Sequence, residues 1–329
     1  MTGPAGAEDV AAAVEILRRG GLVAFPTETV YGLGADATNP AAVERIFAVK
    51  GRPRSHPVIV HLSEGAFLKE WAVDVPAEAW ALADAFWPGP LTLILNRAGS
   101  VPEAVSGGLP TVGLRVPAQP LALALLEAFG GGIAAPSANR FGRVSPTRAE
   151  HVRTDLGGAV DLVLDGGACR VGVESTIVDL SRGRAGVLRP GGVSLDALSE
   201  VLGYEVGLRR LTGDEPGAVR APGTLPTHYA PEARVEVLPA DEVVARAERL
   251  LAEGQRVGLL APFPVPGLPD GLDALPPAGS ALAYAQVLYQ RLREADRRGL
   301  DVLLAVPPPD EGIGAAVADR LRRAAAAGA

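Results

Sequence analysis

Short apolar strands alternate with amphipathic helices along nearly the whole chain, yet around residues 175–190 two strands follow one another with no room for a helix between them. Alternation of this kind defines an α/β protein. Strands joined without a crossover helix pair antiparallel, so the first sheet is expected to be mixed. Residues 9–19 carry helical spacing and stop at Gly20-Gly21; 22–25 then reads as a buried strand. Asn39-Pro40 is a cap followed by proline at the first helical position, which predicts a helix over 40–49 with Lys50 and Arg52 just past its end. The pattern continues with strands at 57–62, 91–96, 112–116, 132–135 and 160–165, and helices near 76–86, 119–129, 147–155 and 194–202.

Residues 207–233 break the alternation with prolines, glycines and no period, which marks a linker. Beyond it the pattern resumes: strands at 234–238, 256–261 and 301–306, helices at 241–253, 281–298 and 314–326. Three segments are therefore expected: a larger α/β domain over 1–206, the linker over 207–233, and a small three-layer α/β/α domain over 234–329. The length of 329 residues fits two domains. A net charge of -7 argues against a chain whose whole surface serves nucleic acid or anionic lipid. The single cysteine, Cys169, excludes an intrachain disulfide and a cysteine-rich metal site, and reads as a buried small residue. No basic-apolar leader and no membrane-length apolar run is present, so a cytoplasmic protein is expected.

Chemistry concentrates in a few stretches. Of 31 basic residues only Lys50 and Lys69 are lysines, so Lys50 stands where a compact ammonium is wanted in place of a guanidinium fork. Lys50, Arg52, Arg54, His56 and His61 fall within twelve residues, broken by Gly51 and Pro53 into a shaped loop. The strand at 132–135 runs into Pro136-Ser137-Ala138-Asn139, with Arg140, Arg143, Ser145 and Arg148 behind it, a strand-end pattern suited to anions. Asp165-Gly166-Gly167, the stretch from Gly172 to Asp179, and Arg189-Pro190-Gly191 add hydroxyls and a guanidinium; with Thr111 and Arg115 they suit an amino-acid substrate. His151 reads as a surface residue. Walker A, dinucleotide, G-x-S-x-G and zinc spacings are all missing, which leaves chemistry by positioning and charge stabilisation, as in nucleotidyl or phosphoryl transfer.

Taken together, Pro26-Thr27-Glu28-Thr29-Val30-Tyr31-Gly32-Leu33-Gly34, the pairing of Lys50 and Arg52 with Ser137 and Asn139, Gly172-Val173-Glu174-Ser175-Thr176-Ile177-Val178-Asp179, and His228-Tyr229-Ala230-Pro231 resemble the Sua5/YrdC/YciO family in its long two-domain form. The resemblance implies a YrdC-like twisted mixed-sheet domain with a large cleft, joined to a smaller Rossmann-like Sua5 domain. It implies a nucleotidyltransferase that converts L-threonine, bicarbonate and ATP into threonylcarbamoyl-AMP and pyrophosphate. Mg²⁺ enters with ATP, with no protein metal ligands and no organic cofactor. The product passes to separate transferase proteins that complete the t6A modification of tRNAs reading ANN codons. RNA binding is allowed but not required, and no membrane is involved.

Carried over by residue, the threonine site falls on Thr29, His61, Arg115, Ala135 and Ser175. The ATP site falls on Arg52, His56, Thr111, Ser137, Asn139, Ser145, Arg189 and Tyr229. Lys50 and Arg52 are the expected catalytic charges, with stability expected to be almost indifferent to their removal. Tyr229, between Pro226 and Pro231, is expected to close over ATP, so that the segment 1–206 alone would fold but handle ATP less well.

Overall fold

The computed structural model describes residues 6–209, 222–223 and 227–327. Much of the expected linker, Pro226 included, lies outside these residues. The chain forms two compact units. The first takes the described residues as far as Phe141, then Ser145–Arg170, then Glu174 to Gly223; the second takes Gly142–Val144, Val171–Val173 and the described residues from Thr227 on.

The elements of the first unit are α1 (Ala7–Arg18), β1 (Val23–Phe25), β2 (Gly32–Asp36), α2 (Pro40–Lys50), β3 (Ile59–His61), α3 (Leu68–Trp71), β4 (Ala72–Val73), α4 (Ala77–Phe86), β5 (Leu91–Arg97), α5 (Glu103–Ser106), β6 (Thr111–Arg115), α6 (Pro120–Phe129), β7 (Ile133–Ala134), α7 (Ala149–Leu156), β8 (Leu162–Val163), β9 (Thr176–Asp179), β10 (Gly186–Arg189) and α8 (Leu195–Leu202). Among the described residues one sheet runs β10-β9-β5-β6-β3-β7-β2-β1-β8, with β4 on β5. Three pairs are parallel, β3 with β6, β5 with β9 and β1 with β8, and the rest are antiparallel, so the sheet is mixed as expected.

Successive strand residues point to opposite faces. Val23 and Phe25 pack with Val14 and Leu17 of α1 and Leu125 and Leu126 of α6. Leu22 and Ala24 belong instead to the larger core with Ile46 of α2, Leu82 of α4 and Leu198 of α8. Helices therefore cover both faces. The Asn39 side chain caps α2 by accepting from the Ala41 and Ala42 amides, and Gly51, at φ 64°, ends it in the left-handed conformation that glycine adopts without a Cβ clash. Lys50 is thus the last helical residue, not one beyond it.

Strand β2 was not foreseen. Its Gly-Leu-Gly-Ala-Asp sequence has low strand propensity, but a Cβ at Gly34 would sit 2.8 Å from Phe25 and 2.9 Å from Ile133, so glycine is what lets the three strands close up. His151 is a correction: it is buried, and its Nδ1 accepts from the Thr147 amide at 3.2 Å, tying the start of α7 to the preceding turn. Cys169 is buried as expected.

The second unit contains β11 (Arg234–Val237), α9 (Val243–Ala252), β12 (Val257–Leu260), β13 (Asp273–Ala274), α10 (Ala281–Arg297), β14 (Val302–Ala305) and α11 (Ile313–Ala325). Its sheet is parallel, in the order β11-β14-β12-β13. Val257, Leu259, Val302 and Leu304 pack on α9 through Val243, Ala247 and Leu250. The alternate residues Leu260, Leu303 and Ala305 are also buried, and α10 presents Tyr284, Leu288 and Leu292 at helical spacing. Crossovers in opposite directions across a parallel sheet put α9 and α10 on opposite faces, giving three α/β/α layers. No helix among the described residues is long and apolar enough to cross a membrane.

Candidate active site

The site in the first unit is assembled by main-chain bonds between the signature stretches. The loop between β1 and β2 is folded on the Thr27 hydroxyl, which donates to Val30 O at 2.6 Å. Its single hydrogen is thereby used, so in the 2.8 Å contact with Thr29 it is the Thr29 hydroxyl that donates. The Leu33 amide donates to Pro136 O, the Ala138 amide to Tyr31 O, and Gly32 bridges Ser137, which lays this loop along Pro136–Asn139. The Tyr31 hydroxyl donates to Gly167 O at 2.8 Å and accepts from the Gly166 amide, anchoring the Asp165-Gly166-Gly167 turn.

Lys50 joins two of the signature elements. Its ammonium donates to Ser137 O at 2.5 Å and to Asn139 O, and Phe141 N donates to Lys50 O. Burial and then the Arg52 charge hold its pKa well below the usual lysine value. The side chain is therefore a clamp on the Ser137–Asn139 turn. The expectation that its removal would leave stability unchanged does not fit this geometry, because the buried Asn139 carbonyl and the partly buried Ser137 carbonyl would lose this donor. Arg52 donates through Nη2 to Pro57 O at 2.8 Å and lies 5.7 Å from the Phe141 ring centre, and His56 meets the same ring edge-on at 5.5 Å.

At the other end of β3 and β6, His61 and Arg115 are register partners. Arg115 donates through Nη2 to Glu28 Oε1 at 2.6 Å and through Nε to Gly89 O at 3.2 Å, while Glu28 Oε2 accepts from the Ala118 amide. Both side chains are about 95% buried, at 5% and 4% exposure. Glu28 is a residue the sequence reading did not single out; the signal was present, since an acid in an apolar loop needs a buried cation. Ala135 donates its amide to Ile59 O. The Ser175 hydroxyl pairs with Thr92 at 2.8 Å and accepts from Arg189 Nη2 at 3.1 Å. Ser145 donates to Glu174 Oε1 at 2.6 Å, a second carboxylate that sequence reasoning passed over. Gly191 allows the turn after Arg189 to close, since a Cβ there would lie 2.3 Å from Thr176 N.

Topology sorts the expected residues. Arg52 and His56 precede β3 and Thr111 opens β6, and β7, antiparallel to β3, carries the chain towards Ser137 and Asn139 at this same end. His61 and Arg115 end β3 and β6, roughly 13 Å from Thr111 along the strand at 3.3 Å per residue. Ser175 immediately precedes β9, whose partner β5 begins at the Arg115 end. Arg189 and Ser145 fall beside Ser175 and Glu174, so these two members of the expected ATP set sit with the threonine set and not with Arg52. Tyr229 lies in the second unit, at φ 64°, stacked on Tyr289 with ring centres 5.7 Å apart and 5.2 Å from the Arg320 guanidinium. A cavity of about 170 Å³ lies beside Pro26, Thr27, Glu28 and Gln119.

His61 is buried edge-on against Phe25, with ring centres 5.9 Å apart. The Ile59 and Ile133 backbones lie against it, but Nδ1 has no partner at hydrogen-bonding geometry. Burial, and then the Arg115 charge, lower its pKa to about 3. The unfolded chain takes up this proton near the ordinary value of about 6.5. Stability should thus be intact above that pH and fall as pH drops towards 3, by up to about 1.4 kcal/mol per unit. Carbon-13 titration of the His61 ring should show a neutral imidazole throughout the range 5 to 8; a midpoint near 6.5 would contradict the packing.

The chain so folded matches known proteins over nearly its whole length. The Sua5/YciO/YrdC profile, described as "Telomere recombination", matches residues 15–191, and a profile described as the threonylcarbamoyl-AMP synthase C-terminal domain matches 193–326. The chain belongs to the Sua5/YciO/YrdC family. Among its relatives, the threonylcarbamoyl-AMP synthase of Pyrococcus abyssi is 43% identical over 95% of this chain and 92% of its own, and that of Bacillus subtilis 39% identical over 96% and 92%. A crystal structure of P. abyssi Sua5 complexed with L-threonine is similar at a TM-score of 0.89 and 40% identity, covering 97% of this chain and 94% of that one.

Proposed function

We propose that the chain is an L-threonylcarbamoyladenylate synthase, converting L-threonine, bicarbonate and ATP into threonylcarbamoyl-AMP and pyrophosphate. The observation that carries the reading is that each of the first unit's signature stretches is bonded to another expected site residue: Lys50 to Ser137 and Asn139, Glu28 to Arg115, and Ser175 to Arg189.

In this reading the threonine carboxylate is met by Arg115, oriented by Glu28. The neutral His61 and the hydroxyls of Thr29 and Ser175, with the Ala135 backbone, receive the amine and hydroxyl. Threonine's amine takes up bicarbonate with loss of water to give a carbamate. A carbamate oxygen then attacks the α-phosphorus, and the bond to pyrophosphate breaks. Negative charge grows on phosphate oxygens in that step, and Arg52 is the guanidinium assigned to it. Lys50 holds the Ser137–Asn139 turn against which the nucleotide is bound, with His56 and Thr111 on the same side. Ser145 and Arg189, beside Ser175, stand where the carbamate must meet the phosphate. Mg²⁺ would arrive on the ATP phosphates and neutralise part of their charge. Tyr229 is assigned to closing over ATP, which requires its segment to present the ring there. Carbamates lose CO₂ in water, so closure would protect the intermediate. Cytoplasmic location, and transfer of the product to separate t6A transferases, complete the proposal.

Purified protein with ATP, Mg²⁺, bicarbonate and each amino acid in turn, followed by mass spectrometry of the nucleotide product, tests it. Threonine should give the carbamoyl adenylate in largest yield. A clear preference for another amino acid would sink the assignment.

A further inference from the structure

The second unit holds a crevice that the reaction above does not use. Its crossover from β11 through α9 to β12 runs one way across the sheet, and that from β13 through α10 to β14 runs back. The loops leaving the neighbouring strands β11 and β14 therefore part towards opposite faces, because α11 after β14 packs on α10. Sheets of this class open a crevice at the carboxyl ends of such strands and take ligands there. Here the crevice measures about 620 Å³, lined by Ala240, Asp241 and Val244 after β11, residues 261–266 after β12 and 306–309 after β14. That volume lies within the range of roughly 300–1,000 Å³ common for small-molecule sites.

Its chemistry differs from that of a nucleotide crevice. A phosphate cradle needs free backbone N–H groups and close-approach glycines. The lining instead has Pro262, Pro264, Pro266, Pro307, Pro308 and Pro309, none with an N–H, and no glycine. Its one charged group is the Asp241 carboxylate, and the flanking residues Glu242, Asp310 and Glu311 are acidic and exposed. Arg322 is paired with Asp310 and Arg246 with Glu236. Phe263 lines the crevice while 57% exposed.

We propose that this crevice binds a small, flat, apolar molecule bearing a positive charge, of the aromatic-amine class. Its ring lies between the pyrrolidine faces and Phe263, and its ammonium faces Asp241. Nucleotides and aromatic carboxylates are excluded by the missing donors and the acidic rim.

The test uses the full chain with methyl-labelled alanine and valine, titrated with tryptamine, and with indole-3-acetate and AMP as anionic controls. Tryptamine should shift the methyls of Val244, Ala261, Val265 and Val306 to saturation, and the two anions should not. Asp241→Asn should weaken tryptamine by about threefold or more. Phe263→Ser should weaken it further, and both variants should keep wild-type adenylate synthesis. Unmoved methyls, equal shifts with AMP, or an Asp241→Asn protein that binds unchanged would overturn the proposal. So would binding of an acetylated Lys-Trp dipeptide without binding of tryptamine, which would make the crevice a protein-docking surface.

Discussion

Replacing Lys50 by methionine is expected to slow adenylate formation by about 10²-fold or more and to destabilise the protein by about 2 kcal/mol. Methionine fills a similar volume but donates nothing, so Ser137 O and Asn139 O lose the donor they share. Each stranded carbonyl costs about 1–3 kcal/mol, offset in part because a buried ammonium is no longer desolvated. Lys50→Arg should also be poor, since a planar fork cannot occupy a position shaped for one nitrogen between two carbonyls. Denaturant unfolding and single-turnover kinetics on both variants decide it. A stable, slow Lys50→Met protein would return Lys50 to the role of a charge acting directly on phosphate. A fast one would remove Lys50 from the account.

Glu28→Gln should raise the KM for threonine by about tenfold or more, leave the KM for ATP nearly unchanged, and lower stability. Glu28 offers two carboxylate oxygens, one to Arg115 and one to the Ala118 amide. Glutamine has one acceptor for these two donors. Breaking a buried ion pair by removing one partner costs about 3–5 kcal/mol when the charge left behind finds no substitute, and Glu28→Ala should approach that range. Initial-rate kinetics with each substrate varied, together with thermal unfolding, separate positioning from simple loss of fold. Equal rises in both KM values would count against a role specific to the threonine end.

Much of the fold was legible because its periods are strong. The Asn39-Pro40 cap, the Gly20-Gly21 stop and the α10 stripe are local signals that packing reinforces. Strand β2 was hidden because its glycines are selected by close approach to Phe25 and Ile133, a contact between distant parts of the chain. His151 was misread for a similar reason: its partner is a backbone amide four residues earlier, and side-chain polarity alone says nothing about that. The site stretches were legible through rare residues such as Lys50, but their partners were not. That Lys50 would meet two carbonyls, that Glu28 would hold Arg115, and that Arg189 would fall beside Ser175 follow from strand order and direction, which no local window contains.

The central claim is that one protein joins threonine to AMP through a carbon taken from bicarbonate. Carbon-13 bicarbonate supplied with threonine, ATP and Mg²⁺ to the purified chain, with the nucleotide fraction read by mass spectrometry and carbon-13 NMR, tests it directly. The account predicts a threonine-dependent adenylate with the label in its carbamoyl carbon, and pyrophosphate released in equal amount. Pyrophosphate release with an unlabelled aminoacyl adenylate, or with no adenylate containing threonine, would contradict it.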